Sequence, residues 1–185
     1  MIAKTPRFRI ILFSAETQLK LGLCVLGCGS FAHSFSESLS TSRDEMDLYF
    51  ASRDLSRSAA YSEEFGGAGA FGSYEDAVAD PRIDAVYICT PHDLHLEHVR
   101  LAAAANKHIL LEKPIARTIE EAGQIISVAK EAGVTLMVAE NCRFLSAVQE
   151  AKRIVDSGAL GKVRLIQLHE EFPFKPNSWR NDKSR

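Results

Sequence analysis

Six short apolar runs, separated by segments with helical spacing, constrain this chain more than any other feature. The runs are Lys20–Gly27 (KLGLCVLG), Met46–Ser52 (MDLYFAS), a short stretch at Ala70 and Phe71, Asp84–Pro91 (DAVYICTP), His108–Glu112 (HILLE) and Val134–Glu140 (VTLMVAE). Most are apolar at successive positions and do not alternate with polar residues, so both faces of each strand must be covered. Helical patterns between them supply the cover: Phe31–Ser40, Leu55–Gly67, Ser73–Asp80, His92–Lys107 and Thr118–Gly133. Ser73 is a natural N-cap, Thr118 and Glu121 spell a capping box, and Gly133 is a helix stop. With right-handed crossovers this order predicts an α/β fold with a doubly wound parallel sheet.

After Asn141 the rhythm changes. Ser146–Gly158 reads as a helix with a Gly158 stop, and Lys162–Phe172 (KVRLIQLHEEF) reads as a long strand alternating in its second half, suited to an antiparallel sheet. The expected division is therefore an N-terminal extension at 1–20, open to disorder, a dinucleotide-binding domain at 21–142, and the first helix and strand of a second α/β domain at 143–185. For the 185 residues, 46% are hydrophobic and 25% charged, as in ordinary globular proteins. A formal net charge of −2 offers no field for nucleic acid, so no nucleic-acid partner is expected. No apolar run approaches the ~20 residues of a membrane helix. The N-terminal run IILF is too short for a signal peptide, so a cytoplasmic location is expected. The four cysteines, at positions 24, 28, 89 and 142, lack zinc or disulfide spacing and read as reduced thiols.

Four stretches carry chemistry. Gly27–Ala32 (GCGSFA) follows the first strand and opens a helix: Gly27 permits the tight turn, Gly29 lets a pyrophosphate approach, and Ala32 takes the packing position. Ser30 and Phe31 begin the helix whose N-terminus would face the phosphates. At the end of the second strand stand Ser52 and Arg53, with Asp54 late for a ribose ligand. A hydroxyl and a guanidinium suit a 2′-phosphate, which favours NADP over NAD. After the fourth strand, Thr90, Pro91, His92 and His95 lie along the crevice where ligands bind in such sheets. His92, His95 and His98 are three apart, but the spacing is not that of a zinc site and no metal is expected. His92 or His95 is read as meeting the cofactor or capping the helix, with His98 exposed. Finally, the fifth strand ends on Glu112 and Lys113, read as an ion pair, followed by Pro114. A lysine beside a nicotinamide can exchange a proton with a substrate hydroxyl as hydride moves.

Together, GCGSFA, SRDLSR, FGSYEDAVADPRIDAVYICTPHDLH, EKP, CRF, SGALGKV and SWR, in this order between Leu21 and Arg180, resemble the start of the Gfo/Idh/MocA family of NAD(P)-dependent oxidoreductases. The resemblance implies a Rossmann domain followed by a mainly antiparallel substrate and oligomerisation domain. It also implies oxidation or reduction of a sugar, inositol, polyol or diol. It gives Lys113 the role of positioning substrate and relaying its proton, with a cis Lys113–Pro114 bond. Glu112 falls near the nicotinamide ribose, and Trp179 and Arg180 match a pair that reaches cofactor or substrate. His92 departs from the family's asparagine. Family members continue past the W-R pair through a D-x-G-x-x-H-like motif, so a truncated form with weak or no turnover is expected, the full-length form being a homo-oligomer. The alternative is a non-catalytic nucleotide-binding regulator or sensor of the same descent.

Overall fold

The computed structural model describes residues 20–39 and 44–169. Six strands form one sheet: β1 (Leu21–Leu26), β2 (Met46–Ala51), β3 (Gly69–Phe71), β4 (Ala85–Ile88), β5 (His108–Leu111) and β6 (Leu136–Val138). Their spatial order is β3-β2-β1-β4-β5-β6, and every pairing is parallel. The helices are α1 (Ser30–Ser38), α2 (Leu55–Glu64), α3 (Tyr74–Ala79), α4 (His95–Ala104), α5 (Ile119–Ala132) and α6 (Ser146–Asp156). The chain leaves β1 for β2 and β3 on one side, then returns to build β4, β5 and β6 on the other. That reversal opens a crevice beyond the carboxyl ends of β1 and β4, where ligands bind in open α/β sheets.

The strand pleat divides the core in two, because successive side chains point to opposite faces. Leu23, Val25, Leu48, Phe50 and Tyr87 pack with Ala32 of α1 and with Phe65 just after α2. Cys24, Leu26, Val86, Ile88, Ile109 and Leu111 pack with α3, α4 and α5 through Ala77, Val99, Ala102 and Ile125. Each large side chain buried this way contributes about 1.5–3 kcal/mol. This is why the strands read as continuous apolar runs.

Local signals act as the sequence predicts, with one change. The Ser73 hydroxyl accepts from Asp76 N at 3.0 Å, that of Thr118 accepts from Glu121 N at 3.1 Å, and Gly133 ends α5 at φ 70°. The capping box is only half made. The Glu121 carboxylate accepts from the backbone N–H of Arg117 at 3.2 Å and pairs with the Arg117 guanidinium, not with Thr118.

The predicted strand Lys162–Phe172 does not form over its described part. Residues 161–169 carry no regular structure, and residues 170–172 lie outside the described residues. An isolated strand leaves its backbone N–H and C=O groups to water, so it needs a neighbouring strand, and among the described residues this segment has none. Helix α6 does form, and Gly158 follows it at φ 73°, but none of its residues is buried. Among the described residues no helix is long and apolar enough to cross a membrane.

Candidate functional site

The first wall of the crevice is the turn leaving β1. Gly27 has φ 101°, and a Cβ there would lie 3.1 Å from the Thr90 methyl and 3.3 Å from the Cys89 carbonyl oxygen. The dihedral makes a side chain strained here, and the close approach leaves it little room. Gly29 is the N-cap of α1 in extended geometry, and it has no side chain to cap the first-turn amides. A Cβ placed on Gly29 would meet nothing within 4 Å, so the space before those amides is open. Free N–H groups at a helix start, facing open space, fit a pyrophosphate. Ala32 is buried against β1 and β2, which is the packing role its motif position predicts. Ser30 and Phe31 lie exposed at the start of the helix.

The second wall is the end of β2. Ser52 is buried, and its hydroxyl accepts from Asp54 N at 3.3 Å. Asp54 caps α2, accepting from Ser56 N at 2.9 Å and from the Ser56 hydroxyl at 2.7 Å. Those bonds hold its carboxyl below the usual range and occupy it. Arg53 is exposed beside them and forms no ion pair among the described residues. The cation at this edge is therefore available, while the carboxylate is committed to a helix.

The third wall follows β4, where the structure corrects two histidine assignments. His95 is 0% exposed: its Nε2 lies 3.1 Å from the Thr90 carbonyl oxygen and its Nδ1 3.3 Å from that of Ile115. A fully enclosed ring offers no surface to a cofactor. Instead, His95 ties the loop after β4 to the loop after β5. His98 is 5% exposed, not a surface residue, and its Nδ1 is hydrogen-bonded to the Thr90 hydroxyl at 2.8 Å. Burial pushes its pKa down, favouring the neutral imidazole. Thr90 is thus held by two histidines while its methyl abuts Gly27. The three-residue spacing does put positions 95 and 98 on one helix face, and it is the buried one, which the spacing alone did not tell. Pro91 and His92 begin a 3-10 turn, and the half-buried His92 ring lies 5.4 Å from that of His95. Among the described residues, no three His, Cys, Asp or Glu side chains are grouped as metal ligands would be.

The fourth wall is the end of β5. Glu112 is 8% exposed, and its carboxylate accepts from the Tyr87 hydroxyl at 3.1 Å. Burial raises the Tyr87 pKa, so the phenol stays a donor. The expected Glu112–Lys113 ion pair is absent among the described residues; neighbours in an extended chain point to opposite sides. The Lys113–Pro114 bond is cis. Lys113 Nζ reaches back across the crevice to lie 5.5 Å from the centre of the Phe31 ring, a cation–π approach. Trp179 and Arg180 lie outside the described residues.

The thiol in the glycine turn is not a nucleophile. Burial pushes Cys28 up to about 11 and Cys89 up to about 12, so both remain protonated near neutral pH. Sequence reasoning passed over Tyr61 of α2, whose hydroxyl donates to the Gly29 carbonyl at 3.1 Å. No short motif marks it, because the contact joins residues 32 positions apart.

The comparisons with known proteins agree with this geometry. A family model described as an oxidoreductase family with an NAD-binding Rossmann fold, Gfo/Idh/MocA, matches residues 21–140. The chain is 35% identical over 151 residues to a trans-1,2-dihydrobenzene-1,2-diol dehydrogenase of Danio rerio, covering 80% of this chain and 45% of that protein. It is 40% identical over 125 residues to a D-xylose 1-dehydrogenase (NADP(+)) of Haloferax volcanii, covering 68% of this chain and 38% of the relative. Among solved structures, scyllo-inositol dehydrogenase from Lactobacillus casei with bound NAD(H) and scyllo-inositol is similar. Its TM-score is 0.70 at 26% identity, covering 77% of this chain and 42% of that one. The chain spans less than half the length of each of these proteins.

Proposed function

We propose, on the premise that this chain belongs to the Gfo/Idh/MocA family of oxidoreductases with an NAD-binding Rossmann fold, that it forms the cofactor half of a dehydrogenase acting on a sugar, polyol or diol. The observation that carries this reading is the meeting of Lys113 with the phosphate turn: its ammonium lies 5.5 Å from the Phe31 ring, at the switch point of the sheet. The names of relatives, a diol dehydrogenase, a xylose dehydrogenase and an inositol dehydrogenase, favour a hydroxylated carbon as the reacting centre. When bound, the nicotinamide supplies the hydride acceptor or donor for such a carbon.

The chain's own residues divide the rest of the work. Gly27, Gly29 and the first-turn amides of Ser30 and Phe31 receive the pyrophosphate, and Ala32 lets α1 lie close on the sheet. Thr90, Pro91 and His92 form the wall beside it, and Glu112, oriented by Tyr87, faces the nicotinamide ribose. The Lys113 ammonium gives a proton to the carbonyl oxygen as hydride adds to its carbon, and in the oxidative direction the amine so formed takes the hydroxyl proton back as the carbinol C–H bond breaks. Residues 143–185, with Trp179 and Arg180, begin a substrate domain. Exposed Leu165, Ile166 and Leu168 support that reading, as does the greater length of the relatives.

The preferred cofactor in this reading is NADP, because Arg53 is free at the β2 edge while Asp54 is held by Ser56. The test is fluorescence titration with NADPH and NADH, for the parent and for Arg53→Ala. Tighter NADPH binding, weakened about tenfold by the substitution with NADH unchanged, is expected. Equal losses for both cofactors would overturn the 2′-phosphate role. Binding of a cofactor without turnover of any sugar, polyol or diol would favour the regulator reading.

A further inference from the structure

Helix α2 reaches the phosphate turn at one atom. The Tyr61 hydroxyl, from its second turn, donates to the carbonyl oxygen of Gly29 at 3.1 Å. That same oxygen already accepts from His33 N at 3.0 Å, the first intrahelical bond of α1. The Gly29 carbonyl therefore has one partner within its own helix, and the phenol takes its second lone pair. The ring delivering it is fixed on three sides. Phe50 lies 5.9 Å away, Phe65 5.7 Å and His33 6.1 Å, the first two tilted near 60° and the last edge-on at 88°. A separate contact, His33 Nε2 to Glu64 Oε1 at 2.9 Å, joins α1 to α2 without touching the turn.

We infer that Tyr61 is a positioning residue of the phosphate turn, setting the plane and polarity of the Gly29–Ser30 peptide so that the Ser30 N–H is aimed at the cofactor's pyrophosphate. The argument rests on the nucleotide reading above. The carbonyl of Gly29 and the N–H of Ser30 belong to one peptide group, so fixing the first fixes the second. Donation to the carbonyl also draws electron density from the amide, making its N–H a stronger donor, as in chains of hydrogen bonds. Gly29 has no side chain to restrain that plane, and the space beside it is open. A glycine at this position lets a phosphate approach; the intrahelical bond from His33 N orients the peptide along α1, and the phenol adds a second restraint from the side of α2. Burial holds the Tyr61 pKa above its ordinary value, so the hydroxyl remains a donor.

The test uses the intact chain, with Tyr61→Phe and, as a control, Glu64→Gln. Each is titrated with whichever of NADPH or NADH the parent binds more tightly. Each is also titrated with the matching fragment that lacks the pyrophosphate, adenosine 2′-monophosphate or adenosine. Tyr61→Phe should bind the dinucleotide about three- to tenfold more weakly and the fragment as the parent does, as expected for one hydrogen bond aimed at one group. The Ser30 amide proton should move upfield in its NMR spectrum. Glu64→Gln should bind both ligands as the parent does. Unchanged dinucleotide affinity in Tyr61→Phe overturns the assignment. So does an equal loss for dinucleotide and fragment, which would make Tyr61 a general support of the domain. A parent chain that binds neither dinucleotide defeats the nucleotide reading itself, and this assignment with it.

Discussion

The carboxyl edge of β1, β4 and β5 and the segment from Asn141 to His169 are both rich in apolar residues, but they end in opposite states. At the edge, Thr90 is bonded to His95 and His98, and Glu112 to Tyr87, two hydrogen-bonded groups in a dry wall. In the later segment Leu160, Leu165, Ile166 and Leu168 are exposed, Leu168 to 83%. The difference lies in partners. Each strand at the edge has a parallel neighbour and helices over its faces, so burial and backbone pairing are satisfied together. Helix α6 can satisfy its own backbone and therefore forms, while the strand expected after it cannot do so alone.

Three experiments press on that contrast. The largest effect should come from His95→Ala, which empties a filled site and takes the ring N–H from whichever of the Thr90 and Ile115 carbonyls accepts it. We expect a loss of about 3 kcal/mol in urea unfolding. His95→Gln, which keeps a donor near the Nε2 position, should recover part of it. A loss below about 1 kcal/mol for the alanine variant would mean the two loops are not held together by this ring.

A smaller effect is expected from pH. The folded pKa of His98 lies below its ordinary value of 6.5, mainly through burial, so the unfolded chain takes up the proton first on acidification. His98 therefore contributes fully above about pH 6.5, and stability falls as pH drops through the unfolded pKa towards the folded one. Stability should therefore fall between pH 7 and 5.5, and the slope should flatten in His98→Gln. A slope unchanged by that substitution would place the proton uptake elsewhere.

The smallest effect belongs to the exposed segment. Leu165→Ser or Ile166→Ser should change unfolding free energy by less than about 0.5 kcal/mol, since neither side chain is buried. A loss above 1 kcal/mol in this chain would show that the segment has a packing partner and would remove the contrast.

Much of the crevice was legible residue by residue. The roles of Gly27, Gly29 and Ala32 follow from a local turn, and a turn is written in neighbouring residues. The Ser73 and Thr118 caps are local for the same reason. Misread features all depend on distant atoms. Glu112 was paired with its neighbour Lys113, but its partner is Tyr87, 25 positions earlier and brought alongside by the β4–β5 pairing. Glu121 has the right spacing to close a capping box, yet the Arg117 cation holds its carboxylate.

By itself, then, the sequence determined the alternation of strand and helix, the parallel order that covered strands require, and the glycine turn that faces the crevice. These are matters of period, backbone freedom and short-range capping. Only the tertiary structure decided which histidines are buried, that the Lys113 ammonium lies by Phe31, and that Tyr61 reaches Gly29. A hydrogen bond is made with whatever the fold brings within about 3 Å, and residues far apart in sequence give no local sign of that meeting.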